Sequence, residues 1–275
     1  LASKTAPSKD LKAILRSAPG KDKDSTSKQY IEIWSQQCLL KNYDLSAIDV
    51  HGEVYTDSEF GSFEWSPDAT KILYIAEKKL PKSEPFYKQK PQDKKPSDKP
   101  QEDVTSGNEY VYKPDWGEQL VGKHLQVIVV LDTNEDKITI VPGLDESLSP
   151  GQVLWTPEGD GIVGVAWKHE PRYLGLIACT NRESWIFYIK GTEFLKLTPD
   201  KRCVRSPRFS PDGKRLIYLE RELNGPHHNV HSLMSIDWQT IQKTPTEIIR
   251  AVKTYIPINN QTIKFYGLYN RTLPT

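Results

Sequence analysis

No stretch of this 275-residue chain stays apolar for the roughly 18 residues that a membrane-spanning helix needs; no run is longer than Val127-Ile128-Val129-Val130-Leu131. A spanning helix is therefore excluded. An excess of one charge is missing as well, since 37 Lys and Arg stand against 36 Asp and Glu, for a formal net charge of +1. The whole-molecule field gives no pull toward nucleic acid or an anionic membrane, and neither is expected as a partner. Cysteine is scarce: Cys38, Cys179 and Cys203 are scattered and lack C-x-x-C spacing. This pattern excludes a disulfide framework and a structural zinc site, and predicts a reducing, cytoplasmic setting. No charged-then-apolar signal segment follows Leu1, and the sequons at Asn260 and Asn270 have no other secretory sign beside them.

Catalytic signatures are missing too. The chain has no G-x-S-x-G nucleophile elbow, no P-loop and no H-E-x-x-H. His227, His228 and His231 lie close in sequence, but a Gly225-Pro226 loop precedes them and no Cys completes a tetrahedral set. No catalytic, cofactor-binding or metal-binding residue is assigned. The polar, aromatic loop Trp167-Lys168-His169-Glu170-Pro171-Arg172-Tyr173 offers a candidate surface contact through His169, Glu170 and Arg172.

What the chain does contain is a recurring turn. Residues 208–219 read RFSPDGKRLIYL. A Pro that pre-sets φ, an Asp that bonds its own backbone and a Gly suited to positive φ predict a tight reversal into a short strand. Related segments begin at Glu64 (EWSPDATKILY), Leu154 (LWTPEGDGIV) and, more weakly, Thr5 (TAPSKDLKAIL). The aligned prolines Pro7, Pro67, Pro157 and Pro211 lie 60, 90 and 54 residues apart. Asp68, Glu158 and Asp212 share the turn-forming place, and Trp65, Trp155 and Phe209 share a place where a large ring packs one unit on the next.

Each turn is followed by an alternating hairpin: Gln29 to Trp34 with Cys38 to Leu40, His124 to Leu131 with Lys137 to Val141, Ser184 to Ile189 with Phe194 to Leu197, and His231 to Asp237 with Glu247 to Ile249. Counting the strand before each turn, every unit has four antiparallel strands, the composition of a propeller blade. The fold expected is all-β, a partial β-propeller over residues 1–249. Its blades fall roughly at 1–49, 50–142, 143–198 and 199–249, and residues 250–275 begin a further blade. The long interval holds an insert, 78–109, in which residues 78–103 carry eight Lys, five acids and five Pro. Such a composition cannot bury enough apolar surface to offset its ordering entropy, so the insert is expected to be mobile.

Several segments in register resemble the acylaminoacyl-peptidase family, among the prolyl-oligopeptidase-like serine peptidases. They are His51-Gly52-Glu53-Val54-Tyr55, Trp65-Ser66-Pro67, Tyr74 to Lys79, Asp115-Trp116-Gly117-Glu118, Ser149-Pro150-Gly151-Gln152, His169-Glu170-Pro171 and Cys179-Thr180-Asn181-Arg182. The resemblance implies an N-terminal propeller that covers a C-terminal α/β-hydrolase domain with a Ser-His-Asp triad, releasing N-acyl amino acids from short peptides. It implies that the propeller excludes folded proteins, that the hydrolase domain and short N-acylated peptides are its partners, and that this chain alone is inactive. Two departures stand out: Lys168 occupies the place of a second Trp beside Trp167, and four blades stand where the family has seven or eight. Uncovered terminal blade faces predict self-association, so a homo-oligomer is a further expected partner. The rival class is a non-enzymatic propeller that presents its loops to a protein.

Overall fold

A computed structural model describes residues 1–8, 10–19, 27–80, 83–84, 105–107, 110–117, 119–240, 243–252, 254–258, 264–265 and 267–269. Nearly all ordered elements are strands, joined into four separate four-stranded antiparallel sheets. The first contains β1 (Ala2–Thr5), β2 (Leu11–Ala18), β3 (Lys28–Ser35) and β4 (Cys38–Asp44), followed by a single helical turn, α1 (Leu45–Ile48), capped by the Asp44 carboxylate. In the second, β5 (Phe63–Trp65) and β6 (Lys71–Glu77) pair with β9 (Gln126–Asp132) and β10 (Lys137–Ile140). The short β7 (Ser83–Glu84) and β8 (Thr105–Ser106) pair in parallel within the insert; most of the 78–109 insert expected to be mobile lies outside the described residues.

The third sheet contains β11 (Leu148–Trp155), β12 (Ile162–Lys168), β13 (Ser184–Lys190) and β14 (Glu193–Lys196). The fourth contains β15 (Arg202–Phe209), β16 (Arg215–Glu222), β17 (Ser232–Asp237) and β18 (Pro245–Ile249). Beyond it β19 (Ile256–Pro257) pairs with β20 (Lys264–Phe265), and His231 bridges to Leu268. The first strands of successive sheets touch in order, β1 to β5, β5 to β11 and β11 to β15. They form the inner edge of a partial propeller, which the four sheets leave open. The β-branched and aromatic runs of β6, β12 and β13 are buried because blades cover them on both faces. One apolar cluster joins blades one and two through Leu15, Ile31, Trp65, Ile72 and Val129. A second joins blades two, three and four through Phe60, Trp116, Trp167, Phe187, Tyr218 and Trp238.

The recurring turn has one geometry. In blade four Ser210 N donates to Arg215 O at 2.8 Å, Gly213 N to Ser210 O at 2.8 Å, and the Ser210 hydroxyl to Asp212 at 2.6 Å. Gly213 has φ +70°, as the sequence requires. Blade two repeats this with Ser66 and Asp68, but Ala69 takes the positive φ. Blade three differs in one respect: the Thr156 hydroxyl donates to Asp160 at 3.0 Å, while the Glu158 carboxylate, expected to form the turn, accepts from Trp238 Nε1 at 3.3 Å. An Asp two positions further on reaches the hydroxyl, which frees the longer Glu side chain for the neighbouring blade. The turns also touch one another: a Cβ on Gly213 would lie 2.9 Å from Pro157 Cβ, and one on Gly159 3.2 Å from Pro67 Cδ.

The three aligned rings behave differently. Trp65 is buried and its Nε1 donates to Lys4 O at 3.0 Å in the blade before it. Trp155 and Phe209 are half-buried against the larger cluster, with Phe209 edge-on to Trp238 of its own sheet at 5.0 Å. Both β11 and β15 carry a bulge, two residues opposite one, with Gln152 at φ +51° and Ser206 at φ +56°.

Candidate functional site

The loop after β12 is built from the inside outward. His169 is not the surface residue expected of it: only 5% is exposed, and its ring stacks on Tyr173 with centroids 4.6 Å apart. Its Nδ1 lies 2.9 Å from the Ser149 hydroxyl, which itself sits 3.3 Å from the Trp116 indole N–H. Trp116 also reaches Gln126, whose amide donates to the Tyr55 hydroxyl at 2.9 Å, and Tyr55 in turn donates to Glu77. A continuous hydrogen-bonded chain thus ties the 169–173 loop to blade two. Each polar group inside it needs a partner, and the chain supplies them. Glu170 and Arg172 remain exposed, and the Glu170-Pro171 peptide bond is cis.

Ser149 beside His169 has the outline of a nucleophile and base, but Ser149 is 0% exposed. Burial lowers the His169 pKa, so the ring is neutral at neutral pH. Its hydroxyl partner is out of reach of any substrate, and the pair works as structure.

The histidine run is split by the fold. His227 and His228 are exposed, whereas His231 is 2% exposed. Burial, then the nearby charges of Arg221 and Arg205, push the His231 pKa down to about 4. Among the described residues no group of three or more His, Cys, Asp or Glu side chains could hold a metal. The three cysteines are free thiols; burial pushes Cys203 up to about 11, which leaves it inert. Gly159-Asp160-Gly161-Ile162-Val163-Gly164 has the G-x-G-x-x-G spacing of a dinucleotide-binding turn. Here it opens strand β12 instead of a helix, so no helix N-terminus awaits a pyrophosphate.

One cavity is lined by the inner strands of all four blades. Its walls hold Lys4, Glu64, Leu154 and Arg208, and it reaches Arg205 at one end. Arg205 and Glu59 form an ion pair at 3.1 Å, the guanidinium nitrogen also meeting the second carboxylate oxygen at 3.2 Å. This pair runs from the loop before β5 to β15, past the whole of blade three. The bulges add further links between blades: Gln152 N to Phe60 O at 3.2 Å, Val153 N to the Ser62 hydroxyl at 2.7 Å, and Ser206 N to Gln152 Oε1 at 2.7 Å. None of these was legible in the sequence. A signal existed only for Arg205, which stands where the aligned blades have Gly61 and Gly151.

Residues 3–275 match the family described as "Acylamino-acid-releasing enzyme, N-terminal domain". The chain is 38% identical to the human acylamino-acid-releasing enzyme and 40% identical to the mouse enzyme over 282 aligned residues, covering 100% of this chain and 37% of each relative. It therefore spans little more than a third of the length of these curated relatives. A solved acylaminoacyl peptidase from Pyrococcus horikoshii aligns with a TM-score of 0.48 at 10% identity, over 90% of this chain and 32% of that one. With a family match from residue 3 to residue 275 and two fifths of its residues shared with the mouse relative, the chain belongs to the acylamino-acid-releasing enzyme family, as its N-terminal domain.

Proposed function

We propose that this domain screens short N-acylated peptides for an acylamino-acid-releasing enzyme whose Ser-His-Asp hydrolase domain lies elsewhere in the polypeptide. The observation that carries the reading is the family match over the whole chain. The inner-strand cavity supports it, because innermost strands that line a common opening leave room for an extended peptide and not for a folded protein. Ser149 and His169, the described Ser–His contact, are buried away from substrate, consistent with chemistry performed outside this domain. The reading carries a cytosolic location with it; no helix among the described residues is long and apolar enough to cross a membrane.

The test is hydrolysis of a ladder of acetylated peptides. The polypeptide carrying both domains releases the acetyl-amino acid from short members and not from long ones, and the 275-residue chain alone releases none. Equal rates across the ladder would exclude a screening role.

A second reading, a protein-interaction module, is favoured by one feature. Tyr110, Val111 and Tyr112 are 69%, 60% and 85% exposed, a run of apolar side chains in water. A partner bound there is lost when all three become Ser, with peptide hydrolysis unaffected.

A further inference from the structure

The repeat brings equivalent positions together around the axis. Three residues before each aligned proline stand Lys4, Glu64, Leu154 and Arg208. All four line the same cavity, roughly 540 Å³ in volume. Lys4 and Glu64 neutralise each other across a 2.8 Å ion pair, and Leu154 supplies an apolar wall. Arg208 is what remains. It is exposed and donates one hydrogen bond, at 2.7 Å to the carbonyl of Pro207, with no acidic partner among the described residues.

Arg205 borders the same cavity. The β15 bulge places one extra residue between Arg205 and Arg208, so the two face the same side, as their partners Leu219 and Ile217 do. Arg205 is 6% exposed and lines the cavity. Its Nη2 is taken up by Glu59, but its Nε is out of water and has no acceptor. The Arg205–Glu59 pair therefore closes one wall of the cavity and leaves Arg208 as its uncompensated cation.

We propose that this cavity binds a carboxylate of a short peptide, anchored by the Arg208 guanidinium. A guanidinium fork matches a planar carboxylate with two parallel hydrogen bonds. Lys4 and Arg205 are already committed to Glu64 and Glu59, so one cation is uncompensated, which suits a monoanion. Leu154 and Val153 receive the side chain next to it. The proposal takes from the screening role only the idea that the carboxylate arrives on a short peptide.

The test is binding of acetyl-trialanine to the 275-residue chain, read by titration calorimetry and by the arginine side-chain resonances. The free acid binds, and its C-terminal amide binds at least tenfold more weakly. Arg208→Gln loses the same tenfold for the acid while its unfolding temperature stays put, because Arg208 is exposed; Arg208→Lys retains part of the affinity. An acetyl-Ala-Asp-Ala amide separates the two sources: binding like the free acid assigns the site to any peptide carboxylate, and failure to bind assigns it to the chain terminus. Equal binding of acid and amide, full binding by Arg208→Gln, or no binding of the acid at about 10 mM overturns the proposal. A failure here leaves the peptide-ladder result untouched, since that depends on length and not on charge.

Discussion

Replacing Glu59 with Gln removes one charge from an ion pair that water does not reach. Glu59 is 3% and Arg205 6% exposed, and a single guanidinium nitrogen holds both carboxylate oxygens at 3.1 and 3.2 Å. Taking away one partner of a buried pair leaves the other charge uncompensated, at about 3–5 kcal/mol. The pair spans blades two and four, so the loss falls on the packing of three blades at once. For a chain of this size that corresponds to a fall of roughly 10 °C in the unfolding temperature. Arg205→Met should cost a similar amount by stranding Glu59. The double variant is the informative one: with both charges gone it should recover most of the loss, a coupling of about 2 kcal/mol or more in a double-mutant cycle. Urea unfolding followed by tryptophan fluorescence reads all four chains. Single variants within about 1 kcal/mol of the parent, or a double variant whose loss is the sum of the two, would refute the argument that the pair is a buried clasp.

Further predictions concern other positions. His231 has its pKa lowered to about 4 in the folded chain against 6.5 unfolded, so the unfolded chain binds more protons between those values and stability falls as pH drops through that window. The loss approaches about 3 kcal/mol by pH 4, and His231→Gln should flatten the unfolding temperature measured from pH 7 to pH 4.5. Gly213→Ala places a Cβ at φ +70° and 2.9 Å from Pro157. It should destabilise by about 1–2 kcal/mol, against less than that for Lys214→Ala in the same turn. Trp238→Phe removes the indole bond to Glu158 and should cost about 1 kcal/mol; Glu158→Gln, which preserves an acceptor, should cost less.

Local features were legible in the sequence, and long-range ones were not. The hairpins and the Ser-Pro-Asp-Gly turn announce themselves because each is decided within a dozen residues, by alternation and by side chains that bond their own backbone. The third turn shows the limit: composition places Glu158 in the role that Asp160 performs, since either carboxylate can be threaded to the Thr156 hydroxyl and only the neighbouring blade decides. His169 reads as surface because Lys168, Glu170 and Arg172 surround it, yet it continues the buried face of β12 onto Ser149. The bulges at Gln152 and Ser206 carry no glycine to mark their positive φ. Glu59 and Arg205 are separated by 146 residues, and nothing local to either predicts the other.

The contact of Pro67 with Gly159 and of Pro157 with Gly213 gives the array a polarity. Both of these junctions present a proline from the earlier blade to a glycine of the later one, a head-to-tail joint that does not close on itself. Such a joint can be copied without redesign: a duplicated blade arrives with its own receptor for the previous turn and its own knob for the next. Blade number is then free to vary between relatives while the turn stays fixed, and Pro211 is the knob that a following blade with a small residue at the matching place would accept.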